Sequence, residues 1–140
     1  DQEEFSFPYD GILLPTDGSE SAQRAAEHAL ALTGALDATL HALSVTEDSL
    51  LGEDADTSTA EEAIDAVTEA ATAQGVEHLE THIEAGEPDE TILEYVEAHD
   101  LDAIVMGATG RRGIDRVLLG SVAEKTVRSA AVLVVTVGER

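Results

Sequence analysis

Cysteine is absent from the 140 residues, which removes disulfides, thiol catalysis and zinc–thiolate sites together. Tryptophan is missing too, the aromatics are two Phe and two Tyr, and lysine occurs once, at Lys125. No apolar run approaches the roughly 20 residues that a membrane span requires, and no signal-peptide core opens the chain. Basic residues are the most depleted class: seven Lys and Arg stand against 30 Asp and Glu, a formal net charge of −23. A small domain usually carries a net charge of about 2–8. This excess repels DNA and anionic membranes, so neither nucleic acid nor a membrane is expected as a partner. The acids are spread along the chain rather than gathered in a tail, which makes them a surface property. At about 1 M salt the Debye length falls to about 3 Å and their mutual repulsion is screened, so the composition points to a salty cytoplasm.

The length predicts one domain, and the 43% apolar share is that of a globular protein. Apolar periodicity alternates between short buried runs and helical stripes. Strands are expected at Tyr9–Pro15, Thr39–Val45, Val76–Ala85, Leu101–Met106 and Ala131–Val137. The third alternates, with Leu79, Thr81 and Ile83 on one face and His78, Glu80, His82 and Glu84 on the other, as an edge strand would. The first helix should start from Ser19 as N-cap and end at Gly34. The second should start from a Ser58/Glu61 capping box and end at Gly75. The third has Pro88 at its first position, and the fourth starts from a Ser121/Glu124 capping box. Residues 46–57 read as the one long loop, and residues 1–8 as a disordered extension of a domain spanning 9–138; the lack of a leading Met suggests processing or truncation. Strands alternating with helices imply an α/β fold, an open doubly wound, mostly parallel sheet with right-handed crossovers.

Residues 107–137 depart from the general acidity. They hold Arg111, Arg112, Arg116, Lys125 and Arg128 against Asp115 and Glu124. An anion, if bound, is expected there. The same region carries glycines at 107, 110, 113 and 120, directly after a strand, and Gly120-Ser121 then opens a helix. Successive backbone N–H groups in such a loop form an anion-binding nest, and a helix start favours phosphate. In sheets of this kind ligands bind outside the carboxyl ends of the strands, where the strand order switches. Pro15-Thr16-Asp17, Val45-Thr46 and the stretch from Gly107 all fall at such ends. The Walker pattern G-x-x-x-x-G-K-S/T and the dinucleotide pattern G-x-G-x-x-G are both absent, which argues against a P-loop NTPase and a standard dinucleotide dehydrogenase.

Gly107-x2-Gly110-x9-Gly120-Ser121 resembles the G-2x-G-9x-G-S/T signature of the ATP-binding universal stress proteins. Pro15-Thr16-Asp17-Gly18-Ser19 looks like the first motif of that family and AVLVVTV like its last strand, so the resemblance runs over residues 9–137. It implies a parallel five-stranded sheet of order 3-2-1-4-5, a Rossmann-like arrangement with helices on both faces. It also implies a homodimer joined through the last strand, Ala131 to Val137. Carried over by motif, Asp17 would contact ribose or the metal region beside Pro15 and Thr16, and Val45 would meet adenine through its backbone. Met106 and Gly107 would line adenine and ribose. Gly110 to Gly113, with Thr109 before them, and Gly120 to Val122 would hold the phosphates. Arg111 and Arg112 are not fixed by the family pattern; they would either add phosphate contacts or face solvent. The implied ligand is ATP, or ADP or AMP, and Mg2+ would come with the nucleotide, on Asp17 and phosphate oxygens.

The function implied is a cytoplasmic nucleotide sensor that regulates a partner protein under stress, with at most slow ATP hydrolysis. The alternative is an ATP-cleaving or adenylate-forming enzyme of related fold, but its S-G-G-x-D-S loop is only faintly echoed by Thr16-Asp17-Gly18-Ser19-Glu20-Ser21. Neither Ser19 nor Ser121 shows Ser-His-Asp logic, so no catalytic residue is expected. His78, Glu80, His82 and Glu84 share a strand face that superficially offers a metal site; the expectation is a solvated face instead. His28, His41 and His99 have no partner spacing and read as structural, and Met106 reads as packing except for its backbone.

Overall fold

The apolar runs become strands because each is flanked by turn or cap residues and is too short to be a core helix. A computed structural model describes residues 9–46, 58–108 and 121–138. The order of elements is β1 (Gly11–Pro15), α1 (Glu20–Leu36), β2 (Thr39–Thr46), α2 (Ser58–Gln74), β3 (Leu79–Ala85), α3 (Pro88–His99), β4 (Ala103–Gly107), α4 (Ser121–Ser129) and β5 (Leu133–Val137). The five strands form one parallel sheet in the order β3-β2-β1-β4-β5, which is the expected topology.

Period-two alternation divides the strand side chains between two cores. Ile12, Leu14, Leu40, Ala42 and Val105 pack with Ala25, Ala29 and Leu30 of α1 and Ile64 and Val67 of α2. On the opposite face Leu13, Leu43, Ile104 and Met106 pack with Ile92, Tyr95 and Val96 of α3 and Ala123 of α4. β1 lies between them with all five residues buried, so it reads as a continuous apolar run rather than an alternating one. Pro15 ends it. A proline has no N–H to give to a central ladder, and the next donor, Thr16 N–H, reaches Leu43 O at 2.9 Å.

Several boundaries differ from those expected. α1 runs through Gly34 to Leu36, and the left-handed residue that ends it is Asp37, with φ 58°. Asp tolerates that conformation better than most residues, and the turn then lets the buried Ala38 return its N–H to Thr33 O at 3.0 Å. α3 ends the same way: Asp100 takes φ 54° and Leu101 N–H donates to Val96 O at 3.0 Å. Leu101 therefore closes a helix rather than starting β4. Val76 does the same for α2, donating to Ala71 O at 2.9 Å, beside Gly75 at φ 76°. β3 accordingly starts at Leu79 and β5 at Leu133. Ser19 is the N-cap of α1, and Pro88 is in the first turn of α3, as expected. Residues 1–8 and most of the 46–57 loop lie outside the described residues.

The face of β3 expected to be solvated is partly covered. His82 packs edge-on to Tyr95, with ring centroids 5.1 Å apart, because α3 lies across this end of the sheet.

The start of β1 is fastened by a side chain distant in sequence. Asp102 Oδ2 accepts from the backbone N–H of Asp10 at 2.8 Å and of Gly11 at 3.1 Å, and Asp102 N–H donates to Gly11 O at 2.9 Å. A charged acceptor holding two N–H groups at a strand start is worth more than an ordinary surface bond. Asp102→Ala is expected to lower unfolding free energy by about 1–2 kcal/mol, read from denaturant midpoints in molar KCl. An unchanged midpoint would mean that solvent replaces both bonds without loss.

Candidate functional site

The strand order reverses between β1 and β4, and the crevice at their carboxyl ends is built from three segments. Thr16–Ser19 follows β1. Thr16 is buried, its hydroxyl oxygen accepts from Gly18 N–H at 3.2 Å, and its carbonyl accepts from the Ser44 hydroxyl at 2.8 Å. Asp17 Oδ1 accepts from Ser19 N–H at 2.9 Å, and the Ser19 hydroxyl accepts from Ala22 N–H at 3.2 Å. These consecutive side-chain-to-backbone bonds fold the turn into one shape and satisfy a free donor at the start of α1. Asp17 thus forms the turn at the N-terminus of α1.

Gly107 ends β4. A Cβ there would meet the Ser21 hydroxyl and come within 2.8 Å of Ala22 N and of Ser21 C. Only glycine lets the strand end run this close to α1. Ala108 N–H then donates to Val137 O at 2.8 Å, which fixes where the chain leaves the sheet.

The third segment is the end of β2. Ser44 ties it to Thr16, and Val45 pairs in register with Glu84. The Val45 side chain packs against the core on the α3 and α4 side, as does that of Val122; Met106 is buried within the same core. Of these three, Met106 has its side chain buried, while those of Val45 and Val122 are only partly covered. Ser121 is the exposed first residue of α4. The structure thus brings Pro15, Thr16, Asp17 and Gly107 to one crevice, with Val45 on its flank. Thr109, Gly110, Arg111, Arg112, Gly113 and Gly120 lie outside the described residues.

Charge at the crevice follows from which cations are already engaged. Arg128 pairs with Glu124 at 3.0 Å one helical turn away, and Arg24 Nε donates to Gly138 O at 2.9 Å. The exposed Arg128 pair contributes little, but it takes that cation out of the set able to neutralise a ligand. Three more arginines follow directly on β4 in sequence, at 111, 112 and 116.

Between α1 and α2 lies an open pocket of about 190 Å³, half of whose lining residues are alanine and which Thr16 and Gly18 also border. Sequence reading gave no sign of it, since alanine at helical spacing is equally the mark of close packing. The grouping of His41, His82, Tyr95 and His99 was also missed. His41 and His82 lie on different strands, Tyr95 and His99 on a helix, and only the strand register and the crossing of α3 join them.

The universal stress protein family model matches residues 8–138. Among solved structures, the universal stress protein UspA from Lactobacillus plantarum is 31% identical, with a TM-score of 0.71 over 92% of this chain and 97% of that one. A universal stress protein from Archaeoglobus fulgidus in complex with dAMP is 23% identical, with a TM-score of 0.76 over 92% of this chain and 98% of that one. A universal stress protein in complex with cAMP has the same identity and TM-score, over 92% of this chain and 97% of that one. No curated protein matches the chain at a significant level. The family match spans nearly the whole sequence, and the 31% identical relative shares its fold from end to end; this chain belongs to the universal stress protein family.

Proposed function

We propose that this chain binds an adenine nucleotide, ATP with Mg2+ in the first instance, in the crevice between the carboxyl ends of β1 and β4. On this reading it acts as a nucleotide-dependent stress regulator in a salty cytoplasm. The observation that carries the reading is the pairing of Gly107, held against α1 where no side chain fits, with a glycine- and arginine-rich run that follows it at once in sequence. In this proposal that run brings backbone donors and positive charge to the switch point, where this sheet type binds ligands. Two relatives of the same fold were solved with dAMP and with cAMP, which supports an adenine ligand.

In this assignment Asp17 contacts the ribose or a Mg2+ bound to phosphate oxygens, and the backbones of Val45 and Met106 border the adenine. Gly110 to Gly113 and Gly120 to Val122 cradle the phosphates, with Arg111 and Arg112 adding charge. Protein purified in molar KCl should release an adenine nucleotide on denaturation, identified by mass spectrometry, or take up ATP by calorimetry. Gly110→Val should abolish that binding and leave the circular dichroism spectrum unchanged. No nucleotide and no uptake, or undiminished affinity in the variant, would overturn the assignment.

Regulation on this reading works through a homodimer paired along β5. That edge strand is LVVTV, with Leu133 about half exposed and Val134 and Val135 only partly covered. Light scattering at molar KCl should return twice the 14.7 kDa chain mass, and Val135→Glu should return the single mass. A wild-type monomer at micromolar concentration would remove the dimer from the proposal.

A further inference from the structure

Five histidines occur in the chain, and three of them meet on the α3 side of the sheet, toward its β3 edge. Parallel register places His41 of β2 beside Glu80 of β3, and Leu43 beside His82. With a period of two, Glu80 and His82 lie on the same face of the sheet as His41. His41 Nδ1 and His82 Nε2 are each 3.9 Å from Glu80 Oε1, and the three donor atoms lie within 4.8 Å of one another. In a tetrahedral zinc site, metal–ligand distances of about 2.0–2.2 Å put neighbouring donors about 3.3 Å apart. Modest rotations of Glu80 and His82, both partly open to solvent, would close that gap.

The rings are held in place from behind. Tyr95 of α3 stacks on His99 at 3.9 Å and 19°, and meets His82 and His41 edge-on at 5.1 and 5.7 Å. The Tyr95 hydroxyl lies 2.9 Å from His41 Nδ1. Ring packing alone accounts for Tyr95, His41 and His99. It does not account for a carboxylate and a half-exposed imidazole converging on the buried His41 nitrogen.

We propose that His41, Glu80 and His82 form a binding site for a single divalent transition-metal ion of the zinc type, clamping the edge strand β3 to β2. Two imidazoles and one carboxylate suit Zn2+, Co2+ or Ni2+. Mg2+ and Ca2+, which take mostly oxygen ligands, find one such group here. On loading, His41 Nδ1 exchanges the Tyr95 hydroxyl for the ion, and water completes the coordination. Register sets His82 level with Leu43, and Leu43 level with Pro15, so the site lies two strand spacings, roughly 10 Å, across the sheet from the β1 side of the crevice. It shares no residue with the nucleotide assignment and does not depend on it.

The surface carboxylates bind cations non-specifically, so the test uses molar KCl with excess Mg2+, and ZnCl2 as the probe. Calorimetry should find one equivalent of Zn2+. In histidine-selective 1H–15N spectra the rings of His41 and His82 should shift while those of His28 and His78 stay. His82→Ala and Glu80→Gln, both at positions open to solvent, should each weaken binding by more than about 100-fold, beyond the loss typical of outer-shell partners. Glu62→Gln, on α2 across the sheet, should change nothing. Zn2+ should also raise the thermal midpoint of the wild type and not that of His82→Ala. The site is refuted by uptake that never saturates, by one equivalent that survives His82→Ala, or by shifts confined to His28 or His78.

Discussion

The close approach of α1 to the end of β4 fixes the rest of this molecule. Where Gly107 passes Ser21 and Ala22 there is no room for a Cβ, and along the same helix Ala25, Ala26 and Ala29 are buried against the sheet. Small residues on both partners lower the helix onto the sheet until backbone meets backbone. The start of α1 is thereby carried to the switch point, with its N-cap turn already folded by Asp17 and Ser19. A larger residue at 107 would lift the helix and open the crevice at the same time, so packing and site geometry are one constraint here.

A net charge of −23 gives the surface a long-range self-repulsion that salt screens. The local chemistry is less affected, because buried contacts and backbone donors act at distances below the Debye length. A positive stretch after β4 keeps its value for an anion even when the surrounding field is screened. Two other cations, Arg24 and Arg128, already bond to Gly138 O and Glu124.

Periodicity sufficed for the elements and for a mostly parallel sheet, while the strand order that the structure has was implied by the family resemblance. Ends were less legible. Gly34 reads as a helix stop, yet α1 passes it, because the burial of Ala38 and the tolerance of Asp37 for φ 58° outweigh a glycine with nothing packed on it. Val76 and Leu101 look like strand residues because apolarity does not distinguish a strand start from a helix-closing turn. Of the site, Pro15 to Asp17 and Gly107 were legible as motif and as strand ends. The buried side chain of Met106 and the partly buried one of Val122 pack in the core. His41, His82 and Tyr95 were illegible as a group, since register and helix crossing are tertiary facts that no local spacing encodes.

The two edges of the sheet differ in what they offer to another copy. An edge strand is open to pairing unless charge or cover prevents it. β3 presents exposed Glu80 and Glu84, and pairing it with itself would bring carboxylates of both copies together in a protein already rich in them. Histidines and Tyr95 cover the adjoining face. β5 has no charged residue between Leu133 and Val137, and its side chains are only partly buried. Screening by salt weakens the repulsion at β3, where Ile83 is the one exposed large apolar side chain, whereas at β5 the gain from burying Leu133 and its neighbours persists at any ionic strength. If copies of the chain pair through a sheet edge, as proposed, β5 is the edge without charge, and such pairing would leave β3, with its imidazoles and carboxylate, accessible.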